Sequence, residues 1–503
     1  EKFGEENHRK SISKDVFRNS LYNLLATLIN RIGGLIFTVV VARILMPDLF
    51  GAYSLVLSIL LIGLTVADFG LAQTSIRFVS DALGKKDERL ARSYFKFILN
   101  VKILITLAIS IILFLVAGLL SVFIFKNEAL ILPMKLSALY LFFVSLLDFL
   151  SFTFFTLKDV KYYFVKEIFY QILRISLIIP VVIVIASELK VSSIFVVLTI
   201  ISILMLIYTI YIIRSKFGFI LKGEIVRIDK KRILKFSMFL AIGILPGIFF
   251  TYVDTLMIGA LMPIRYVGFY RAAYTIATSI GSLFMFYMVV LPYFTQFEHE
   301  VFDRAFKKIF HLTSVIAFPA SFGLALVAAP FIKLLYGPEY LPATLPLYLL
   351  AFLIIDVSLF TYFISIFQAK ENPEIIAKVV GIAAILNIIL NYFLIISLSK
   401  VKLEYGMLGA AIATIISRFF AGIYLAIVSA KKFNIKPAAQ SIYKPLIASI
   451  VMALALILMP DPSSIFVGVI EIIAAAVIYF VVLFLIKGIT KEDISYVWDL
   501  FKK

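Results

Sequence analysis

The chain of 503 residues is 62% hydrophobic, carries a formal charge of +18 and contains no cysteine. Its mean hydropathy of +1.06 lies well above that of a soluble domain, in which about 45–50% of residues are apolar, so lipid is the expected solvent. Disulfides, thiolate nucleophiles and cysteine metal sites are excluded, and His8, His299 and His311 have no partners at ligand spacing.

Apolar runs of about 20 residues, the length that carries an α-helix across about 30 Å of hydrocarbon, recur from end to end. A transmembrane barrel would show shorter, alternating strands. The first twenty residues, with Glu5, Glu6, Arg9, Lys10 and Lys14, have no apolar core of a signal peptide, so the first span is expected to direct its own insertion. Fourteen spans are predicted, near residues 18–43, 52–80, 93–125, 130–157, 163–187, 191–213, 236–262, 268–297, 309–333, 344–369, 374–398, 406–430, 444–460 and 465–486.

Their connections alternate in character. Pro47-Asp48, Lys126-Asn127-Glu128, Ser187-Glu188-Leu189-Lys190, Pro263-Ile264-Arg265, Gly337-Pro338-Glu339 and Asp461-Pro462 are short and poor in Lys and Arg, whereas the intervening connections and both tails are basic. The positive-inside rule then puts both termini in the cytoplasm of a multi-pass cell-membrane protein. The same distribution accounts for the charge of +18 without nucleic acid, since no soluble domain carries a groove-reading element. The longest connection, 214–235, holds eight Lys and Arg, among them Lys230, Lys231 and Arg232. It reads either as a retained linker attracted to the negative leaflet or as a lid or anionic-lipid contact.

An internal repeat is visible. Leu45-Met46-Pro47 followed by Gly51-Ala52-Tyr53 is echoed by Leu261-Met262-Pro263 followed by Gly268-Phe269-Tyr270, each between the first two spans of its half. Both copies fall on the same predicted side, so the repeat is expected to be parallel, about an axis along the membrane normal. Proline stopping a helix, glycine allowing a reversal and tyrosine at headgroup level suffice to explain the motif.

The segment Ala42-Arg43-Ile44-Leu45-Met46-Pro47-Asp48-Leu49-Phe50-Gly51-Ala52-Tyr53, followed by Ala67-Asp68-Phe69-Gly70-Leu71, resembles the N-terminal signature of the polysaccharide and oligosaccharide (Wzx-type) flippases of the multidrug/oligosaccharidyl-lipid/polysaccharide (MOP) exporter superfamily. Asp254-Thr255-Leu256-Met257-Ile258-Gly259 is similar to the start of that family's second half. The resemblance implies an all-α membrane fold of two six-helix lobes, 1–220 and 221–440, around a cavity open to alternate sides. Two extra C-terminal spans, in 441–503, mark the sugar-carrying branch. It also implies a monomer that moves polyprenyl (di)phosphate-linked oligosaccharide between leaflets and catalyses no covalent chemistry.

Charges inside spans demand explanation, each costing about 2.5–3.5 kcal/mol on insertion scales. Arg31, Asp68, Asp148, Arg174, Asp254, Arg271, Asp356, Arg418 and Glu471 form this set. Arginine suits a diphosphate because it is always charged and binds phosphate oxygens as a fork, so Arg31, Arg174 and Arg271 are the candidate head-group ligands. Asn23, Asn30 and Gln73 are candidates for sugar hydroxyls. The bland alternative pairs these arginines with acids between helices, and Arg271, near an interface, is equally placed to snorkel. Arg418 and Glu471 are read as structural. Asp68 and Asp254 are candidate carriers of a coupling ion, H⁺ or Na⁺, or else interhelical partners. No G-x-x-x-x-G-K-[ST] loop occurs, so no ATP-driven step is expected and no cofactor.

Two other kinds of function compete. A MATE-like cation exporter or a peptidoglycan-precursor flippase would share the fold. A membrane glycosyltransferase or glycan polymerase would use the same carriers, but no D-x-D occurs and the predicted outer connections are short.

Overall fold

In the computed structural model residues 2–284, 299–370, 372–459 and 465–489 are described, and they form helices and turns without a strand. Among them nine helical stretches are long and apolar enough to cross a bilayer, ten if Pro338–Leu350 and Leu353–Ala369, bent by 54°, count as one span. The end of the eighth expected span, the Asp461-Pro462 connection, the C-terminal tail and the side chains of His8 and His299 lie outside the described residues. Backbone contacts divide the chain into two units, 1–268 and 269–503.

The first unit contains α1 (Lys2–Asp68), α2 (Leu71–Gly84), α3 (Glu88–Leu119), α4 (Ile131–Thr156), α5 (Lys161–Val184), α6 (Lys190–Lys216) and α7 (Lys230–Leu261). A straight helix of 67 residues would rise about 100 Å, three times the thickness of the hydrocarbon. It does not stay straight: Met46, at φ 60 and ψ 168 ahead of Pro47, divides α1 into two arms, as the breaker in the sequence requires. The helix extends ahead of the first expected span, starting at Lys2, while the stretch apolar enough to cross a bilayer begins at Arg18.

The expected second span, 52–80, is corrected. Phe69 and Gly70 both have left-handed backbone, φ 48 and 69, so the second arm of α1 ends at Asp68 and α2 begins at Leu71. The expected span 309–333 is likewise interrupted at Val327.

α3 shows why these helices belong in lipid. Lys102, Thr106 and Ser110 are buried, while Leu104, Leu107, Ile111 and Leu115, on another face of the same turns, are exposed. This reverses the soluble arrangement and leaves helix contacts to polar and small residues. α4 packs on α3 and α6, α5 on α1 and α6, α2 on α3, and α7 on α1. Leu71, Phe78, Phe95, Phe149, Phe154 and Ile220 form an apolar cluster where α2, α3, α4 and the segment after α6 converge.

The two copies of the repeat motif meet within this unit. A Cβ on Gly51 would lie 2.1 Å from the Ile264 carbonyl oxygen, and one on Gly268 would lie 2.3 Å from that of Pro47. Three residues before each glycine stand Asp48 and Arg265, whose side chains pair at 3.0 Å.

The second unit contains most of α8 (Ile264–Leu283), then α9 (His299–Leu326), α10 (Ala328–Tyr336), α11 (Thr344–Leu350), α12 (Thr361–Ala369), α13 (Pro373–Ser399), α14 (Tyr405–Phe433), α15 (Gln440–Leu458) and α16 (Ile465–Leu485). Between α11 and α12 run a short turn, Leu353–Ile355, and a π-helical turn, Asp356–Phe360. α13 lies along α14, and α15 packs on α9 and α16. The Tyr479 hydroxyl of α16 donates to the Val315 carbonyl of α9 at 2.7 Å, so the last helix is tied into the unit.

Candidate functional site

Within the first unit, ionisable and amide side chains of α1, α3, α4 and α5 form a polar column. At one end the broken helix leaves carbonyls at Ala67–Asp68 without a continuing turn. Lys102 of α3, 2% exposed, reaches this break. Its Nζ donates to the Ala67 carbonyl oxygen at 3.2 Å and to Asp68 Oδ1 at 3.4 Å. From α7, the Ser237 hydroxyl donates to the Phe69 carbonyl, and Gly70 is so close that a Cβ there would meet Ser237 O and Leu240 Cβ at 2.8 Å. Glycine is thus required at this break for its backbone angle and for its size.

On α5, Lys166 and Glu167 are both buried and contact each other at 2.5 Å. The Lys166 ammonium also lies 5.1 Å from the Tyr163 ring centre and 5.8 Å from that of Tyr170, contacts that offset part of the cost of burying the charge. Asp148 of α4 is exposed by area although its neighbouring charges are Lys166, Glu167, Lys102 and Asp68. An accessible carboxylate beside these groups needs water or a counter-ion next to it, because hydrocarbon would not tolerate its charge.

Further along, the hydroxyls of Tyr140 and Tyr170 share a 2.8 Å hydrogen bond, and Gln171 Nε2 donates to Asn30 Oδ1 at 2.7 Å. Arg174 follows one turn later, its guanidinium 4.2 Å from the Phe37 ring centre. Its Nε and one terminal nitrogen are buried and make no hydrogen bond. α1 and α5 run side by side in the same direction, since Asn19 meets residues 158–160 and Asn30 meets Gln171. The column therefore follows the helix axes.

The second unit holds a smaller cluster. Asp356, on the π-helical turn, accepts from Arg418 of α14 at 3.0 Å, and Arg418 also donates to the Tyr274 hydroxyl at 3.0 Å. Arg271 lies 5.1 Å from the Tyr274 ring centre. Tyr270 and Thr414 share a hydrogen bond of 3.1 Å. On α13, Asn387 is fully buried with neither amide atom hydrogen-bonded.

Of the residues singled out from the sequence, Asn30, Asp68 and Arg174 belong to the first unit's column, and Arg31 is half-buried beside Asn30 on α1. Asn23 is exposed on α1 and Gln73 on α2. Asp254 is 1% exposed on α7, and Arg271 belongs to the second unit's cluster. Sequence reading passed over Lys102, Lys166, Glu167, Tyr140, Tyr170, Gln171 and Asn387. The three charges were visible inside apolar runs, but all lie within ten residues of an expected span start, where snorkelling is the ordinary explanation. Among the described residues no group of three His, Asp or Glu side chains is arranged to hold a metal ion.

The fold has solved relatives. The lipid II flippase MurJ in an inward closed conformation superposes with a TM-score of 0.74 at 18% identity, covering 92% of this chain and 97% of that one. An inward-facing multidrug resistance MATE family transporter of the MOP superfamily gives 0.59 at 11% identity over 80% and 95%. At such identities the likeness establishes a common fold. Among curated proteins, the probable low-salt glycan biosynthesis flippase Agl15 of Haloferax volcanii is 25% identical over 195 residues, 38% of this chain and 40% of that protein. The uncharacterized membrane protein MJ1068 of Methanocaldococcus jannaschii is 23% identical over 230 residues, 44% of each. The matched stretch thus spans less than half the length of the curated relatives. Residues 16–298 match the family described as polysaccharide biosynthesis protein, more than half the chain, and it is to this family that the chain belongs.

Proposed function

We propose that the protein is a flippase that carries polyprenyl (di)phosphate-linked oligosaccharide from the cytoplasmic to the outer leaflet by alternating access, for polysaccharide or glycoconjugate assembly. The observation that carries the reading is the first unit's polar column, in which buried Lys166 and Glu167 and partly buried Arg174 share the interior of the helices with an accessible carboxylate, Asp148. A sugar-phosphate head group needs such a replacement for its hydration, while a polyprenyl tail needs none. The family membership and the flippases among the relatives support the same direction.

In this reading fourteen spans form two six-helix lobes, 1–220 and 221–440, followed by two further spans in 441–503, with both termini cytoplasmic. Arg31, Arg174 and Arg271 serve the phosphates. Asn23, Asn30 and Gln73, joined by Gln171 and Asp148, serve the glycan hydroxyls. Asp68 and Asp254 are the proposed groups for a coupling H⁺ or Na⁺, and the working unit is a monomer in contact with membrane lipid. The test is reconstitution into proteoliposomes with a fluorescent lipid-linked oligosaccharide on one leaflet. Protein-dependent movement to the other leaflet supports the reading; movement of an organic cation alone defeats it.

A further inference from the structure

The segment between α6 and α7 is fastened along its length. After the 3₁₀ turn Gly218–Ile220, Ile220 is fully buried in the apolar cluster of the first unit, against which Phe217, Leu221 and Ile228 also pack. Arg92 of α3, 7% exposed, donates Nε to the Phe219 carbonyl oxygen at 2.6 Å and a terminal nitrogen to that of Glu224 at 3.0 Å. The Ser93 hydroxyl accepts the Val226 N–H at 2.9 Å. Gly223, at φ +125, lies against the Arg92 guanidinium so closely that a Cβ would stand 2.6 Å from its central carbon. A slack tether has no need of a buried arginine that binds two main-chain carbonyls, and this clamp holds the segment as a strap.

The strap faces outward with an unbalanced set of groups. Its two acids are both engaged within the unit, Glu224 in a 3.2 Å pair with Arg89 and Asp229 in accepting the Arg232 N–H at the start of α7. Lys222, Arg227, Lys230, Lys231, Arg232 and Lys235 are exposed against two exposed acids, Glu224 and Asp229, and exposed apolar side chains, Ile225 at 61% and then Met238 and Phe239, stand beside them. Water alone calls for no such excess of cations over acids and would disfavour bare isoleucine and phenylalanine beside them. Positive charge mixed with apolar side chains matches an anionic headgroup layer with acyl chains beneath it.

We propose that the clamped strap and the first turns of α7 form a docking surface for anionic phospholipid headgroups of the leaflet they face. The proposal rests on the functional reading only in naming that leaflet cytoplasmic. The experiment is hydrogen exchange of the peptides spanning 217–235 in the full chain, in nanodiscs of phosphatidylcholine alone and of phosphatidylcholine with phosphatidylglycerol. Exchange should be about tenfold slower with the anionic lipid, and the difference should vanish at high salt and in the variant Lys222→Gln/Arg227→Gln/Lys231→Gln. Arg92→Leu should speed exchange in both membranes, which reports the clamp separately. Equal exchange in the two membranes overturns the proposal. So does a lipid effect that survives the triple neutralisation, or protection conferred only by a soluble acidic polypeptide such as polyglutamate. None of these readings requires transport, so failure here is distinct from failure of the flippase reading.

Discussion

Gly51 and Gly268 stand backbone to backbone, each filling the place of the other's absent side chain with main-chain atoms. The obstructing carbonyl belongs in each case to the residue four positions before the opposite glycine, Ile264 for Gly51 and Pro47 for Gly268. Such reciprocity is what a two-fold relation between duplicated segments produces. It gives the repeated Leu-Met-Pro and Gly motif a packing role beyond a turn, because two helix starts approach closely only where neither carries a Cβ. The charge pair Asp48–Arg265 breaks the symmetry, with opposite signs at equivalent positions.

Replacing Gly51 or Gly268 by alanine should force these segments apart. The chain contains no cysteine, so Asp48→Cys/Arg265→Cys provides a clean pair for a short thiol cross-linker. Cross-linking should be efficient in the parent and fall several-fold when Gly51→Ala is added. Unchanged yield would mean that the close approach is absent in the membrane.

Lys102→Met should destabilise the first unit, since it removes the cation that holds Asp68 and the Ala67 carbonyl at the helix break. Breaking a buried pair costs about 3–5 kcal/mol, and the partial exposure of Asp68 places this case toward the low end. Thermal unfolding in detergent measures it. Adding Asp68→Asn should recover part of the loss; a double variant no better than the single would show that the pair is not the source.

Arg174→Ala and Arg174→Lys should both lower transport of a lipid-linked sugar, by roughly tenfold or more if a charged hydrogen bond of about 1.5–3 kcal/mol is lost. Lysine keeps the charge but lacks the planar fork and the stacking on Phe37. Full activity in Arg174→Lys would reduce the role of this side chain to its charge.

In the second unit, Arg418→Met should be more harmful to stability than the double change Arg418→Met/Asp356→Leu, because the single variant strands a largely buried carboxylate. Unfolding midpoints of the three proteins decide the matter, and a double variant less stable than Arg418→Met would refute the expectation.

Much of the architecture was legible in the sequence because a membrane helix declares itself through length and composition. Pro47 marked the division of α1, and Asp68-Phe69-Gly70 was in plain view within the signature, yet the run 52–80 read as one span. Apolar residues continue on both sides, and hydropathy cannot register two left-handed residues. The charges of α5 illustrate the other limit. Lys166 and Glu167 are adjacent in sequence, and whether they snorkel to headgroups or turn inward toward Asp148 depends on which helices stand beside α5.

What composition and period determined was the solvent, the helical class and the alternating placement of charge, because these follow from the bilayer acting on each segment alone. The tertiary structure decided which polar groups meet. It joined Lys102 to a helix break 34 residues earlier, set Asn30 against Gln171 and clamped the α6–α7 strap beneath Arg92. The free energy of those contacts resides in pairs of distant residues, and no single stretch of sequence contains it.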